Sequence, residues 1–421
     1  MKKLYVYADF DWLEDVELMG ELQYEQLRGK EHYGFQFSNT WIQRHSDIHI
    51  SPDLFNFSGL QFVQPEKDIF GCLSDTLPDR WGRMLMQRRE QTLSKEQNRP
   101  IRKLTSFDYL LGIDDFARMG GFRFKESPDA DFINSTDELT VPPITDIDKL
   151  WMACREVEQS ESQQLLPEKK WLFQLIQPGS SLGGARPKAN VMDNKKRLFV
   201  AKFPSRNDDY DVGLWEYLCN ILANKSGILT AEARVMKIGD HYHTFLSKRF
   251  DRTENSRRIH FASAMTMLGL VDGDDADTGR GYLDMVDFII QHSADVQNNL
   301  KELYRRVAFN ICVGNTDDHF RNHGFLLTPK GWTLSPVYDV NPSLNEYQSL
   351  LIDETSNLSD LNILLNAAKS YFLTRQDAAN IIRQVVHAVR EWRQVAAKLS
   401  ISKREQERFS TIIDNRTQGE W

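Results

Sequence analysis

Cysteine is scarce in this chain: Cys72, Cys154, Cys219 and Cys312 are far apart, and no two form a Cys-x-x-Cys pair. That spacing indicates neither a zinc knuckle nor a disulfide framework, and it fits a reducing compartment. Long hydrophobic runs are missing too. Nothing approaches the ~18 consecutive apolar residues of a membrane span, and the apolar start of MKKLYVYADFDWLEDV breaks at Asp9, too early for a secretory signal. An excess of positive charge is also absent: 52 Lys and Arg stand against 60 Asp and Glu, a net −8, which gives no overall drive toward nucleic acid or an anionic membrane. Internal repeats and low-complexity segments are lacking as well. These absences lead to the expectation of a soluble cytoplasmic protein that does not engage membranes.

What is present is enough apolar residue for a sizeable core, 41% of 421 residues, at a length that favours two or three subdomains. In the first hundred residues LYVYA, MGELQYE and YGFQFS alternate like paired strands. LPDRWGRMLMQRRE follows with helical periodicity and a proline near its first turn. Residues 1–105 therefore read as a small sheet with a helix. From Arg80 to Lys103 basic residues dominate, which suits either an acidic or phosphate-bearing partner or a solvated helix face. Residues 128–145 are polar and proline-bearing, a connector, and a helix is predicted from Asp146 to about Ser160.

A small-residue loop, PGSSLGGARP, then feeds two strand-like runs, KANVMD and RLFVAKF, around the turn DNKK. DVGLWEYLCNILANKSGI is an amphipathic helix, and EARVMKI with HYHTFLSKRF makes a second hairpin about Gly239-Asp240. Beyond Arg252 strand signals fade. Ala378, Ile381, Val385, Val389, Trp392 and Ala396 share one helical face after a capping box at Thr374 and Asp377, so the last 170 residues or so are expected to be mostly helical.

The densest cluster of polar ligands is GNTDDHFRNHGF, beginning at Gly314, with two aspartates, two histidines and two asparagines. Asp317 and Asn322 are five apart, and Asp339 follows in LSPVYDVNPS. Phosphoryl transfer requires such a set: a carboxylate to accept a hydroxyl proton, and oxygen ligands for Mg²⁺ on the β- and γ-phosphates. In protein kinases a catalytic loop supplies an aspartate and, five residues on, a metal-binding asparagine, while a later aspartate holds metal. Alone, D-x-x-x-x-N is equally a turn. Upstream, Lys202 in the apolar strand FVAKF is either a snorkelling edge residue or a phosphate-binding group. Glu216, on the next helix, is its candidate partner, and Gly179, Gly183 and Gly184 permit close backbone approach to phosphates. The order of these elements is that of a two-lobed kinase. Departures exclude the ordinary eukaryotic type: there is no G-x-G-x-x-G and no H-R-D, YDV stands for D-F-G, and no A-P-E follows.

Six ordered motifs, SSLGGARPKA, AKFPS, WEYLCNILANKSGI, LSKRFDR, AFNICVGNTDDHFRNHGF and LSPVYDVNPS, closely resemble the HipA family of bacterial serine/threonine kinases, toxins of HipA/HipB-type modules. GCLSDTLPDRWGRMLMQRR resembles that family's N-terminal subdomain, so the likeness spans nearly the whole chain.

The resemblance implies an α+β, two-lobed protein-kinase-like fold: an N-terminal β-containing subdomain (1–105), a nucleotide-binding lobe (106–252) and a mainly helical lobe (253–421). It implies ATP and Mg²⁺ as cofactors, with Asp317 as catalytic base, Asn322 and Asp339 as metal ligands, and Lys202 as phosphate contact with Glu216 beside it. Ser247 to Phe250, including Lys248, would meet adenine, and Asp251 would stand near the ribose. Ser181, with Ser180 beside it, opens the loop motif SLGGARPK, which Gly183, Gly184 and Lys188 complete; in the family that serine is autophosphorylated, which inactivates the enzyme. Loop flexibility is the plainer account of the two serines, yet a phosphoserine adds roughly −1.5 to −2 charges where ATP phosphates should sit. The implied substrate is an aminoacyl-tRNA synthetase or another translation protein, with growth arrest as the result. The implied partner is a small helix-turn-helix antitoxin like HipB, through which the complex reaches operator DNA.

Two readings of other classes accompany this one. A catalytically inactive kinase-like module would bind ATP or act as a co-repressor without transferring phosphate. Alternatively, His319 and His323, on one face if helical, could join Asp317 or Asp318 in a metal-dependent hydrolase. The general-base glutamate of H-E-x-x-H is missing, since Phe320 follows His319. Bracing of the loop by the two imidazoles is the simpler role.

Overall fold

Alternating apolar residues place Leu4, Val6 and Ala8 on the buried face of the first strand, and a sheet forms around it. The structure, a computed structural model, describes residues 1–135, 141–163, 186–239 and 242–421, together with Leu172, Leu175 and Gly184. It gathers the chain into two compact units: residues 1–207 with 246–262, and residues 208–245 with 263–421.

In the first unit, β1 (Lys2–Ala8), β2 (Glu17–Leu27), β3 (Lys30–Phe37), β4 (Gln61–Phe62) and β5 (Phe122–Lys125) form one sheet in the order β4-β3-β2-β1-β5. Arg28 and Gly29 turn β2 into β3 with both φ angles positive, 50° and 79°, as a two-residue hairpin requires. β5, expected in the nucleotide-binding lobe, joins the N-terminal sheet antiparallel to β1 with Phe122 opposite Ala8. Helix Arg80–Glu96 begins after Pro78, with Asp79 accepting from the Gly82 N–H at 2.9 Å.

Much of the basic run is tied back into this unit. Arg99 forks onto Glu90, Arg102 reaches Asp108 at 2.9 Å, and Arg83 donates to the Pro78 carbonyl and stacks over Tyr109. The hydrogen bond from Arg99 is the main cause holding the Glu90 carboxyl down to about 2. Lys188–Met192 and Leu198–Lys202 pair antiparallel across the DNKK turn, where Lys196 has φ 60°, and Lys188 stands directly opposite Lys202.

A second framework in the same unit is ionic. Three guanidinium groups, those of Arg249, Arg252 and Arg258, donate to the single carbonyl of Arg118, at 3.3, 2.8 and 3.5 Å. Asp251 and Asp115 supply the opposing charge. The segment following the second hairpin is thereby bound to residues 115–120.

The second unit contains helices Val212–Lys225, Tyr282–His292, Val296–Val313, Arg375–Val389, Trp392–Lys398 and Lys403–Thr417. Thr374 and Asp377 cap the helix that begins at Arg375, as the sequence predicts. All six residues of the predicted apolar face are buried, but the helix breaks at Arg390 and Glu391 and restarts at Trp392. The expected loss of strands is incomplete as well. Gly324–Thr328 and Gly331–Leu334 form an antiparallel hairpin immediately after the GNTDDHFRNH segment and fix its outgoing end.

Candidate active site

Helix Val296–Val313 ends at Gly314, which has φ 78°, the left-handed conformation that glycine adopts without a Cβ penalty. The Asn315 N–H returns to the Asn310 carbonyl at 2.9 Å, and the Asn315 side chain donates to Asn310 Oδ1 at 3.1 Å, which seals the turn. Asp317 then emerges as an exposed residue, whereas Asp318, its neighbour, is buried.

Asp318 Oδ2 accepts three hydrogen bonds, from Tyr282 Oη at 2.6 Å, Asn310 Nδ2 at 2.7 Å and His323 Nε2 at 2.8 Å. Burial works to raise the Asp318 carboxyl, but the nearby His323 imidazole and the bonds from His323 and Tyr282 outweigh it and hold the group below the usual aspartate range. The Tyr282 hydroxyl is pushed far up by burial and by the adjacent carboxylate. Sequence reasoning did not single out Tyr282 or Asn310, and treated Asp318 only as a candidate metal ligand. Two adjacent aspartates look alike in a sequence, and the donors that distinguish them come from separate helices.

Between Asp318 and His323 the chain makes one 3₁₀ turn, Phe320–Asn322. The histidines therefore do not share an α-helical face, and His323 instead braces the loop on Asp318. Among the described residues no group of three or more His, Cys, Asp or Glu side chains is placed to hold a metal ion. Asn322 is buried. Its Nδ2 donates to the Asp317 carbonyl at 3.0 Å, while its Oδ1 is a buried oxygen with no hydrogen-bond partner.

The segment bearing Asp339 runs alongside this loop. Tyr338 Oη donates to the Arg321 carbonyl at 2.7 Å, the Ser343 N–H to the Gly314 carbonyl at 2.8 Å, and the Ser349 N–H to the Thr316 carbonyl at 3.0 Å. Thr316 and Ser343 share a further hydroxyl contact. The neighbours of Asp339 and Asn322 are thus bonded to each other. Asp339 itself is half-buried and has φ 59°, a conformation costing a non-glycine residue roughly 1–2 kcal/mol.

The remaining candidates are placed as follows. Glu216 is buried on helix Val212–Lys225 in the second unit, and Lys202 is half-buried at the end of its strand in the first. Lys188 is buried with its Nζ 2.9 Å from Asp79 and 3.3 Å from the Gly184 carbonyl, so its charge is directed to the cap of helix Arg80–Glu96. Gly184 has φ 84°, while Ser180, Ser181 and Gly183 lie outside the described residues. Lys248 pairs with Glu254, and the Phe250 ring packs on Phe261 at 5.7 Å. Asp251 does not face solvent as a ribose contact would. Its carboxylate is fully buried, with Oδ1 taking Arg249 Nε at 2.8 Å and Oδ2 taking the Gly120 N–H at 2.9 Å and Arg252 Nη1 at 2.6 Å.

Comparison with known proteins bears on the whole arrangement. The family model described as the HipA-like C-terminal domain matches residues 180–393, half of the chain. The chain belongs to the HipA family. It is 24% identical over 208 residues to the serine/threonine-protein kinase toxin HipA of Shewanella oneidensis, covering 44% of this chain and 47% of that one. It is 27% identical over 212 residues to a Haemophilus influenzae protein bearing a provisional kinase name, covering 44% of this chain and 62% of that protein. The aligned part is less than two thirds of either relative. A chain of the Shewanella oneidensis complex of HipA, HipB and operator DNA superposes with a TM-score of 0.69 at 18% identity, covering 98% of this chain and 96% of that chain. The α+β kinase-like fold of HipA therefore extends through nearly all of the protein, and its family is one of kinase-like enzymes.

Proposed function

We propose that this HipA-like chain is an ATP-dependent serine/threonine protein kinase with Asp317 as its catalytic base. The observation that carries the reading is the loop itself: an exposed aspartate at 317, whose carbonyl is fastened by a buried Asn322 that keeps one oxygen unpartnered. A hydroxyl of the substrate can reach an exposed carboxylate, and a fixed backbone limits the loss of alignment that transfer cannot tolerate. In the reaction, the hydroxyl oxygen bonds to the γ-phosphorus as the bond to the β–γ bridging oxygen breaks, ADP departs, and the hydroxyl proton passes to Asp317.

Asn322 Oδ1 and the Asp339 carboxylate fit a hard cation, because both are oxygen donors and the former is buried without a partner. They would hold Mg²⁺, which when bound neutralises charge on the phosphates. Lys202 is assigned to the nucleotide phosphates, Glu216 to a supporting role, and the backbone of Ser247 to Phe250 to the adenine. Lys188 and Asp251 are assigned to the framework instead, given the partners described above.

A translation protein, such as an aminoacyl-tRNA synthetase, is the proposed substrate, with growth arrest as the outcome in the cytoplasm. Ser181, or Ser180 beside it, is the proposed autophosphorylation site. A structural relative is seen with HipB and operator DNA. A helix-turn-helix antitoxin is accordingly the proposed partner, and the net charge of −8 suits contact with DNA through that partner only. No helix of the described residues is long and apolar enough to cross a membrane.

The test is incubation of wild type and Asp317→Asn with Mg·ATP, followed by phosphosite mass spectrometry. Wild type should be modified at Ser181 or Ser180 and the variant should lose transfer by about 10²- to 10⁴-fold. Equal modification of both would place the base elsewhere. ATP binding without transfer by wild type would make the chain an inactive kinase-like binding module.

A further inference from the structure

The C-terminal helix, Lys403–Thr417, begins ten residues beyond the part of the chain matched by the family model, which ends at 393. Within the second unit it touches three of the elements already assigned to the reaction. Near its start, Glu405 Oε1 accepts from the Asp211 N–H at 3.0 Å, at the cap of the helix that carries Glu216. One turn on, Phe409 packs edge-on against Trp215, the residue before Glu216, at 4.6 Å.

Near its end, Arg416 is half-buried and divides its two terminal nitrogens between two carbonyls: Nη1 to Ile311 at 3.4 Å and Nη2 to Asn345 at 2.7 Å. Ile311 lies in the last turn of helix Val296–Val313, where its carbonyl also takes the Gly314 N–H at 3.3 Å and where the helix dipole favours a cation as second donor. Asn345 belongs to the segment that follows Asp339. Gly314 is pinned between them, since a Cβ there would lie 2.8 Å from Ile412 Cγ2, 3.3 Å from Arg416 Nη1 and 3.3 Å from the Ser343 carbonyl.

We propose that Arg416 is a positioning residue for phosphoryl transfer, and that its helix is a strut joining the Asp317 loop to the Asp339 segment. In this role the guanidinium acts through the two backbone carbonyls it holds. It bridges the chain just before Asp317 to the chain just after Asp339, so its loss releases both segments together while the nucleotide-contacting strand of the first unit is unchanged. The catalytic consequence rests on the kinase reading above; the positioning itself does not.

The experiment uses the full chain and two readouts, amide hydrogen exchange over residues 314–322 and 341–349, and steady-state phosphate transfer from Mg·ATP. In Arg416→Ala exchange should quicken in both segments by about tenfold, the effect of one lost hydrogen bond. The kcat should fall roughly 10- to 100-fold, with KM for ATP within about twofold, because misplacement of about 1 Å already costs that much. Arg416→Lys, which keeps the charge and one contact, should fall between. Arg393→Ala is the folding control: Arg393 forks onto Asp414 of the same helix and lies over Trp392, and among the described residues neither partner belongs to the two segments, so both readouts should match wild type. Wild-type exchange in Arg416→Ala, or the same acceleration in Arg393→Ala, would overturn the strut. If wild type transferred no phosphate, the kinase reading would fail while the exchange comparison still decided whether Arg416 positions the two segments.

Discussion

His323 and Asp318 form a buried pair, Nε2 to Oδ2 at 2.8 Å, that closes the chain between them into a small ring containing Asn322. The residue exposed to solvent, Asp317, is followed in the chain by this buried, fully bonded neighbour.

That pairing has a pH signature. The folded-state value of Asp318 is lowered, so its stabilising contribution is complete above the ordinary aspartate value of 3.8 and is lost as pH falls through the lowered value. Urea titrations of wild type and Asp318→Asn should differ at neutral pH and converge as pH is taken below about 4. Asp318→Ala, which orphans three buried donors, should cost about 3 kcal/mol or more at pH 7.

Asn322→Ala separates anchoring from cation binding. Losing the bond to the Asp317 carbonyl should cost about 1 kcal/mol in thermal or urea unfolding. Losing Oδ1 should raise the Mg²⁺ concentration for half-maximal transfer by roughly tenfold or more, since one of few oxygen ligands is gone. An unchanged metal dependence would remove Asn322 from the ligand set.

Asp251→Asn should act on folding, not on nucleotide affinity. It leaves Arg249 and Arg252 buried without their counter-charge, a loss of about 3–5 kcal/mol. Urea unfolding should show this drop, and ATP affinity per folded molecule should stay within about twofold. A selective loss of ATP affinity with unaltered stability would return Asp251 to the ribose.

At Gly314 two penalties add. Alanine at φ 78° costs about 1–2 kcal/mol for its backbone conformation, and its Cβ would press on Ile412 at 2.8 Å. Gly314→Ala should lower the thermal midpoint by several degrees, at a rate of roughly 2–4 °C per kcal/mol for a body of this size.

Local pattern made much of this chain legible. The hairpin that ends at Lys202, the strands Ala233–Lys237 and His243–Lys248, the helix of Glu216 and the cap at Thr374 follow from alternation, turn residues and helical spacing, signals contained in a dozen residues. What escaped depends on distant chain. β5 is four residues long, and only its pairing with β1 makes it a strand. The hairpin after His323 was masked by the helical signal surrounding it, and its ladder saturates the backbone there. Within the candidate site, residue types and spacing picked out Asp317, Asn322 and Asp339. The inward turn of Asp318 and the burial of Asp251 were invisible, since each is decided by donors that the sequence lists far away or does not rank.

The placement of β5 also limits how the protein can be divided. Cutting the chain after residue 105 would strip β1 of the strand bonded along one side, from Ala8 opposite Phe122 to Tyr5 opposite Lys125. Bare amide and carbonyl groups would then line a hydrophobic strand, inviting another molecule to zip onto it. Such an amputated piece should clump on concentration, whereas one retaining residues up to 125 keeps that border sealed.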